Sequence, residues 1–194
     1  WEVEVTEPAI TAGAEPVRRV ISARSIVIAA GARPLVPPIP GLQDVGYLTS
    51  DNVWDLRELP ARLVVLGGGP IGCELAQSFA RFGSRVTQVE MAPRLLFRED
   101  PEVSALVAEG FAAEGIDVRV GHKALRFEQS DGQRVLVAEH QGAEVRIAFD
   151  QVLLALGRSP NTAGYGLEEM GIATTAARTV EVDGFLRTRF PNIF

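Results

Sequence analysis

Apolar and polar positions change period several times along the chain, and each change marks an element. Arg62 to Leu66 is a short, almost unbroken apolar run. From Pro70 to Phe82, Ile71, Leu75, Phe79 and Phe82 recur at intervals of four, four and three, which predicts one face of a helix. Pro70 suits the first helical position, where its missing N–H is not needed, and Gly83 suits the end. Arg85 to Glu90 returns to a strand pattern. Together these segments predict a βαβ unit of roughly 30 residues.

Upstream, Glu2 to Thr6, Val17 to Ser22 and Ser25 to Ala30 read as strands, followed by a proline-rich connector, Pro34 to Pro40, which forbids both helix and sheet ladder. A short helix is expected next, capped by Thr49 or Ser50 and running past Trp54 to Leu59. Downstream, Asp100 and Pro101 open a second long helix with Val103, Leu106, Val107 and Phe111 on one face, ended by Gly115. Ile116 to Val120 reads as a third strand. From Ala124 to Leu156 strands alternate with turns at Ser130-Asp131-Gly132, Gln141-Gly142 and Asp150, the pattern of a β-meander. After Gly157-Arg158-Ser159-Pro160, a short helix at Leu167 to Met170 and a strand at Thr179 to Val182 are expected. The fold class is therefore α/β, a Rossmann-type domain with a parallel sheet and a meander.

Composition narrows the function. Of 194 residues, 46% are hydrophobic and 23% charged, the balance of a globular chain. A net charge of −6 with no basic run argues against a nucleic-acid partner. No stretch approaches a membrane span or a signal peptide, and a cytoplasmic location is expected. Cys73 is the single cysteine, so this chain cannot hold a redox-active cysteine pair; it reads as a small packed residue. Trp1 and Trp54 read as packing residues, and His122 and His140 suggest no metal site. Because the chain opens inside a strand pattern without methionine and closes on Pro191-Asn192-Ile193-Phe194, a piece of a longer polypeptide is expected.

The candidate chemistry lies in Leu-Gly-Gly-Gly-Pro-Ile-Gly-Cys-Glu, which holds G-x-G-x-x-G at Gly67, Gly69 and Gly72 between a strand and a helix. Gly67 allows the tight turn, Gly69 lets backbone approach a pyrophosphate, and Gly72 lets helix and strand pack closely. Gly68, Pro70 and Ile71 complete the binding turn, whose phosphates would sit at a helix N-terminus. Glu90, 18 residues beyond Gly72 at a strand end, is placed to accept hydrogen bonds from the ribose hydroxyls of NAD(H). It would repel the extra phosphate of NADP, so NAD(H) is preferred, although Arg94 or Arg98 could accommodate that phosphate. Glu74, in the first turn of the helix, is explained by the helix dipole alone.

Three separated segments resemble the flavin-dependent pyridine nucleotide–disulfide oxidoreductases, a family that includes dihydrolipoamide dehydrogenase and mercuric reductase. They are Ser25 to Pro34 with Pro40-Gly41, the Gly67 to Glu90 unit, and Leu154 to Asn161 with Val182 to Thr188 and Pro191 to Ile193. The resemblance implies an NAD domain at residues 51–160, inserted between two partial FAD-domain segments at 1–50, with the connector, and 161–194. It implies that Ala30, Gly31 and Ala32 approach the flavin nucleotide, with Ala30 replacing the family's usual threonine. It places Glu74 near the nicotinamide and flavin rings as a catalytic residue, Ala124 beside the adenine and Gly157 near the nicotinamide. Pro70 stands where some relatives carry a gating aromatic.

The activity implied is hydride transfer between NAD(P)H and FAD, then electron transfer to a disulfide or related acceptor, in a homodimeric parent. The fragment by itself is expected to bind NADH without turning over. Two alternatives stay open. One is an NADH oxidase or ferredoxin reductase-like flavoenzyme without a cysteine pair; the other is a non-catalytic NAD-binding module.

Overall fold

The computed structural model describes residues 1–7, 15–130 and 132–194, so Asp131 of the expected Ser130–Gly132 turn lies outside the described residues. By internal contacts the chain separates into two units, Trp1–Ala32 with Pro160–Phe194, and Arg33–Ser159.

The larger unit is built on a parallel sheet. Its strands are β4 (Arg62–Leu66), β5 (Arg85–Glu90), β6 (Asp117–Val120) and β10 (Gln151–Leu154), in the order β10-β4-β5-β6. Helix α2 (Pro70–Phe82) joins β4 to β5, and α3 (Pro101–Ala113) joins β5 to β6. The chain then runs through an antiparallel sheet of β7 (Lys123–Ser130), β8 (Gln133–His140) and β9 (Ala143–Phe149) before β10 returns beside β4. The apolar run of β4 follows from burial on both faces. Leu63 and Val65 face the helices with Cys73, Ala76, Phe79 and Phe111. Val64 and Leu66 face the antiparallel sheet with Leu136, Ile147 and Phe149. Each of the four is at most 1% exposed, a burial worth about 1.5–3 kcal/mol per side chain.

The segment 33–50, expected with the first domain, packs in this larger unit. A short helix, α1 (Leu42–Val45), buries Leu42 and Val45 against the meander side of the sheet. Leu48 exchanges backbone bonds with Val152 and Leu154, both 2.8 Å, and so extends the edge of the sheet. Residues 33–50 are thus more than a connector. The helix expected from Ser50 to Leu59 is a single 3-10 turn, Val53–Asp55. The Asn52 carboxamide accepts the Thr49 N–H at 2.6 Å, and Leu56 is already extended ahead of Pro60. Trp54 does not pack: it is 72% exposed, with its indole N–H on the Ser50 carbonyl at 2.8 Å.

The smaller unit contains a hairpin of β1 (Glu2–Glu7) and β2 (Val17–Ser22) and a cluster of Leu167, Ile172 and Ile193 with Ile26 and Ile28. The strand expected over Ser25 to Ala30 is a single bridge, Ile26 to Ile193, with backbone bonds from Ile26 N–H to Asn192 O at 3.0 Å and from Phe194 N–H to Ile26 O at 2.9 Å. Residues 167–170 form turns rather than a helix, and the strand expected at 179–182 is a bridge from Val180 to Thr174. Two short strands, β3 (Ala32–Pro34) and β11 (Arg158–Pro160), lie where the chain passes between units. Among the described residues no helix is long and apolar enough to cross a membrane.

Candidate nucleotide-binding site

The sheet order reverses at β4, which has β10 on one side and β5 on the other. Ligands of open α/β sheets bind outside the carboxyl ends of the strands at such a point. Here that end is the turn Gly67–Gly69. Gly67 has φ +109°, and a Cβ there would lie 2.3 Å from the Ala155 carbonyl oxygen. A Cβ on Gly72 would lie 2.2 Å from the Gly67 carbonyl oxygen, so both positions demand glycine for close packing. Gly69 differs. No atom lies within 4 Å of where its Cβ would be, which leaves an open approach to the start of α2.

The turn's other polar groups are almost all engaged. The Gly67 N–H donates to Val89 O at 2.9 Å, and the Gly68 carbonyl accepts from Leu96 N–H at 2.7 Å. The first bond of α2 runs from Cys73 N–H to the Gly69 carbonyl at 2.9 Å. Pro70 occupies the first helical position and no side chain caps the helix. The amides of Ile71 and Gly72 therefore have no partner within the helix, and they stand at its positive end.

Glu90, half-buried at the end of β5, closes one side of the turn. Its two carboxylate oxygens accept the Gly68 N–H at 2.5 Å and the Ala92 N–H at 2.6 Å. A carboxylate so held retains lone pairs for further donors. Arg94 is drawn into its own loop: its guanidinium donates to the carbonyls of Phe97 at 2.8 Å and Glu99 at 3.2 Å and to Ser104 Oγ at 3.3 Å, and it lies over the Phe97 ring. Arg98 stays exposed.

The buried face of α2 is Gly72, Cys73, Ala76 and Phe79, rotated from the expected face of Ile71, Leu75, Phe79 and Phe82. Phe82 is 70% exposed. Small residues, not the largest apolar ones, must face β4 if Gly72 is to touch Gly67. Burial pushes the Cys73 thiol up from its ordinary value, with the charges of Glu90 and Glu74 adding to the effect. Cys73 is a packed thiol. On α3 likewise, Ser104 and Phe111 are buried while Val103 and Leu106 are exposed.

The remaining predicted residues are scattered. Glu74 is exposed on α2, but it is the fifth residue of the helix and lies beyond the first turn, which holds no acid, so the helix dipole does not account for it as expected. Ala124 is half-buried and packs in the cluster on the meander side of the sheet. Gly157, with φ +106°, follows β10 and accepts the Leu35 N–H at 2.9 Å. Ala30, Gly31 and Ala32 belong to the smaller unit. Gly31 has φ +70° with open space at its Cβ position, and the Ala30 and Gly31 carbonyls both accept from Asn161, each at 3.0 Å. Two polar residues escaped the sequence reading. Asn161 entered only as the last residue of the family-like segment Leu154 to Asn161, with no role of its own. Gln88 carried no signal either, since it stands with Arg85, Thr87 and Glu90 in a strand with only two apolar residues, Val86 and Val89.

A glycine turn at the switch point of a parallel sheet, with an acid at the end of the next strand, defines a Rossmann-type dinucleotide-binding domain. The model of the pyridine nucleotide-disulphide oxidoreductase family matches residues 4–194, and the chain belongs to that family. It is 38% identical over 174 residues to a mercuric reductase of Staphylococcus aureus, covering 90% of this chain and 32% of the relative. It is 41% identical over 175 residues to a mercuric reductase of Streptomyces lividans, covering 90% and 36%. The chain thus spans about a third of the length of these curated relatives. Among solved structures, the HOCl-induced flavoprotein disulfide reductase RclA from Escherichia coli superposes with a TM-score of 0.81. That match has 36% identity and covers 91% of this chain and 40% of the other.

Proposed function

We propose that the Gly67–Gly72 turn binds the pyrophosphate of NAD(H), and that the chain forms the pyridine-nucleotide part of a flavin-dependent reductase acting on a disulfide or related acceptor. The observation that carries this reading is the state of the turn. Its outward groups are fixed, its helix N-terminus has no side-chain cap, and the space at Gly69 is open. Free N–H groups and the helix dipole there favour a phosphate. Glu90 takes the ribose hydroxyls on its remaining lone pairs and repels a 2′-phosphate, while Arg94 is engaged with its own loop rather than with the turn. NADH is therefore the expected partner over NADPH.

When bound, nicotinamide and flavin supply two-electron hydride chemistry. The chain's own residues bind and orient. Glu74, whose carboxylate has no partner among the described residues, lies one helical turn beyond the phosphate position and serves the nicotinamide end with Gly157. Ala124 flanks the adenine end. In the smaller unit, the Ala30–Ala32 backbone meets the flavin nucleotide. The carbonyls of Ala30 and Gly31, held by Asn161, and the open space at Gly31 fit that use. A homodimeric, cytoplasmic parent completes the reading.

Calorimetric titration with NADH and NADPH tests it. The parent chain should bind NADH at least tenfold tighter than NADPH, a difference of about 1.4 kcal/mol. Glu90→Ala should abolish that preference. Tighter NADPH binding by the parent would assign selectivity to Arg98 and overturn the ribose role of Glu90.

A further inference from the structure

The turn's rigidity has a source beneath it. Gln88 is fully buried in β5, and its carboxamide Nε2 donates to the Gly67 carbonyl at 3.0 Å while lying 3.6 Å from Cys73 Sγ. The Cys73 thiol in turn lies 3.5 Å from the Gly68 carbonyl oxygen. The Gly67 carbonyl is the same group that a Cβ on Gly72 would strike, so it sets the distance between the turn and the helix. Gln88 Oε1 is buried with no hydrogen-bond partner, the one such side-chain atom among the described residues. A buried acceptor left unmade is unfavourable. Only the work of the amide's N–H groups offsets it, since an apolar residue of the same size would carry no such penalty.

We propose that Gln88 is a positioning residue for nucleotide binding. By holding the Gly67 carbonyl from below, it fixes the plane of the Gly67–Gly68 peptide and so aims the amides at the start of α2 toward the pyrophosphate. Cys73 supports it as a packed thiol, not as a nucleophile. The inference rests on the reading of this turn as the pyrophosphate site. Because the pyrophosphate is common to both nucleotides, Gln88 acts on NADH and NADPH alike, whereas Glu90 discriminates between them.

Gln88→Met keeps the length of the side chain and removes the donor. It should weaken NADH and NADPH binding by about tenfold each, with their ratio unchanged. Amide hydrogen exchange should accelerate at Gly67, Gly68 and Cys73 but not across β8 and β9. Ile147→Ala, a cavity in the buried cluster on the meander side of the sheet, controls for general destabilisation and should leave nucleotide affinity within twofold. Affinity within twofold of the parent in Gln88→Met, or exchange accelerated evenly through the unit, would overturn the proposal. A parent that binds neither nucleotide would refute the functional reading, while the localised exchange would still decide what Gln88 holds. Should Gln88→Met fail to fold, the parent decides. One Gln88 carboxamide proton must exchange far more slowly than those of exposed glutamines; exchange at their rate would refute the bond.

Discussion

At the scale of single residues, the three motif glycines are needed for different reasons, and the structure separates them. Gly67 and Gly72 are required by packing, since a Cβ on either would overlap a backbone carbonyl at 2.3 or 2.2 Å, and backbone cannot swing aside as a side chain can. At Gly69 a Cβ would meet no atom of the protein, so under the proposed function only the ligand calls for glycine there. Gly72→Ala should therefore destabilise the fold by about 2–3 kcal/mol as well as abolish NADH binding. Gly69→Ala should change stability by no more than about 0.5 kcal/mol yet weaken NADH at least tenfold. Thermal unfolding beside calorimetric titration of the two variants checks the contrast. The motif spacing alone named all three glycines, because each has a fixed place relative to strand and helix. It could not name Gln88, since the value of a buried carboxamide depends on which carbonyl the fold brings within its reach.

At the scale of elements, the parallel strands, the meander and the two long helices of the larger unit follow the hydrophobic pattern, and the faces of those helices do not. Periodicity locates a helix well, but several residues of α2 are apolar enough to seed more than one face. Close approach to β4 then selects the small ones. The edge of the sheet carries its own tie. Arg62, at the start of β4, holds Asp150, just ahead of β10, through two guanidinium bonds at 2.6 and 3.1 Å, and the Arg62 N–H adds a third at 2.8 Å. Arg62 keeps the Asp150 carboxyl below the usual carboxylate range. The stabilisation is thus fully present above the unfolded-chain value of about 3.9 and is lost as pH falls through the lower folded value. With side chains 34% and 38% exposed, solvent screening reduces the pair to about 1 kcal/mol. Asp150→Asn should lose about that much at pH 7, and the gap between parent and variant should close below about pH 4. Denaturant unfolding across that range measures it.

At the scale of the whole molecule, the larger unit holds the glycine turn, Glu74, Glu90, Ala124 and Gly157, together with two buried clusters on opposite faces of one sheet. A chain of residues 33–159 should fold cooperatively by itself and bind NADH with an affinity within a few-fold of the complete chain. A chain of residues 51–159 lacks Leu42, Val45 and Leu48, all buried in those clusters, and should be less stable by several kcal/mol. Circular dichroism melts and titrations of the two shortened chains would show the difference. Equal stability would mean that 33–50 is the mere connector its prolines suggest.

By itself the sequence determined the βαβ unit, the dinucleotide turn, the acid that ends β5 and the resemblance that proved to be family membership. These are properties of neighbours along the chain, where backbone geometry and side-chain period act within a few residues. Tertiary structure alone decided the rest. It set which face of α2 lies down, how Leu48 joins a sheet formed a hundred residues later, and which carbonyl Gln88 holds. Each of these depends on burial and hydrogen-bond satisfaction between distant segments, and such contacts exist only once the sheet has brought those segments together.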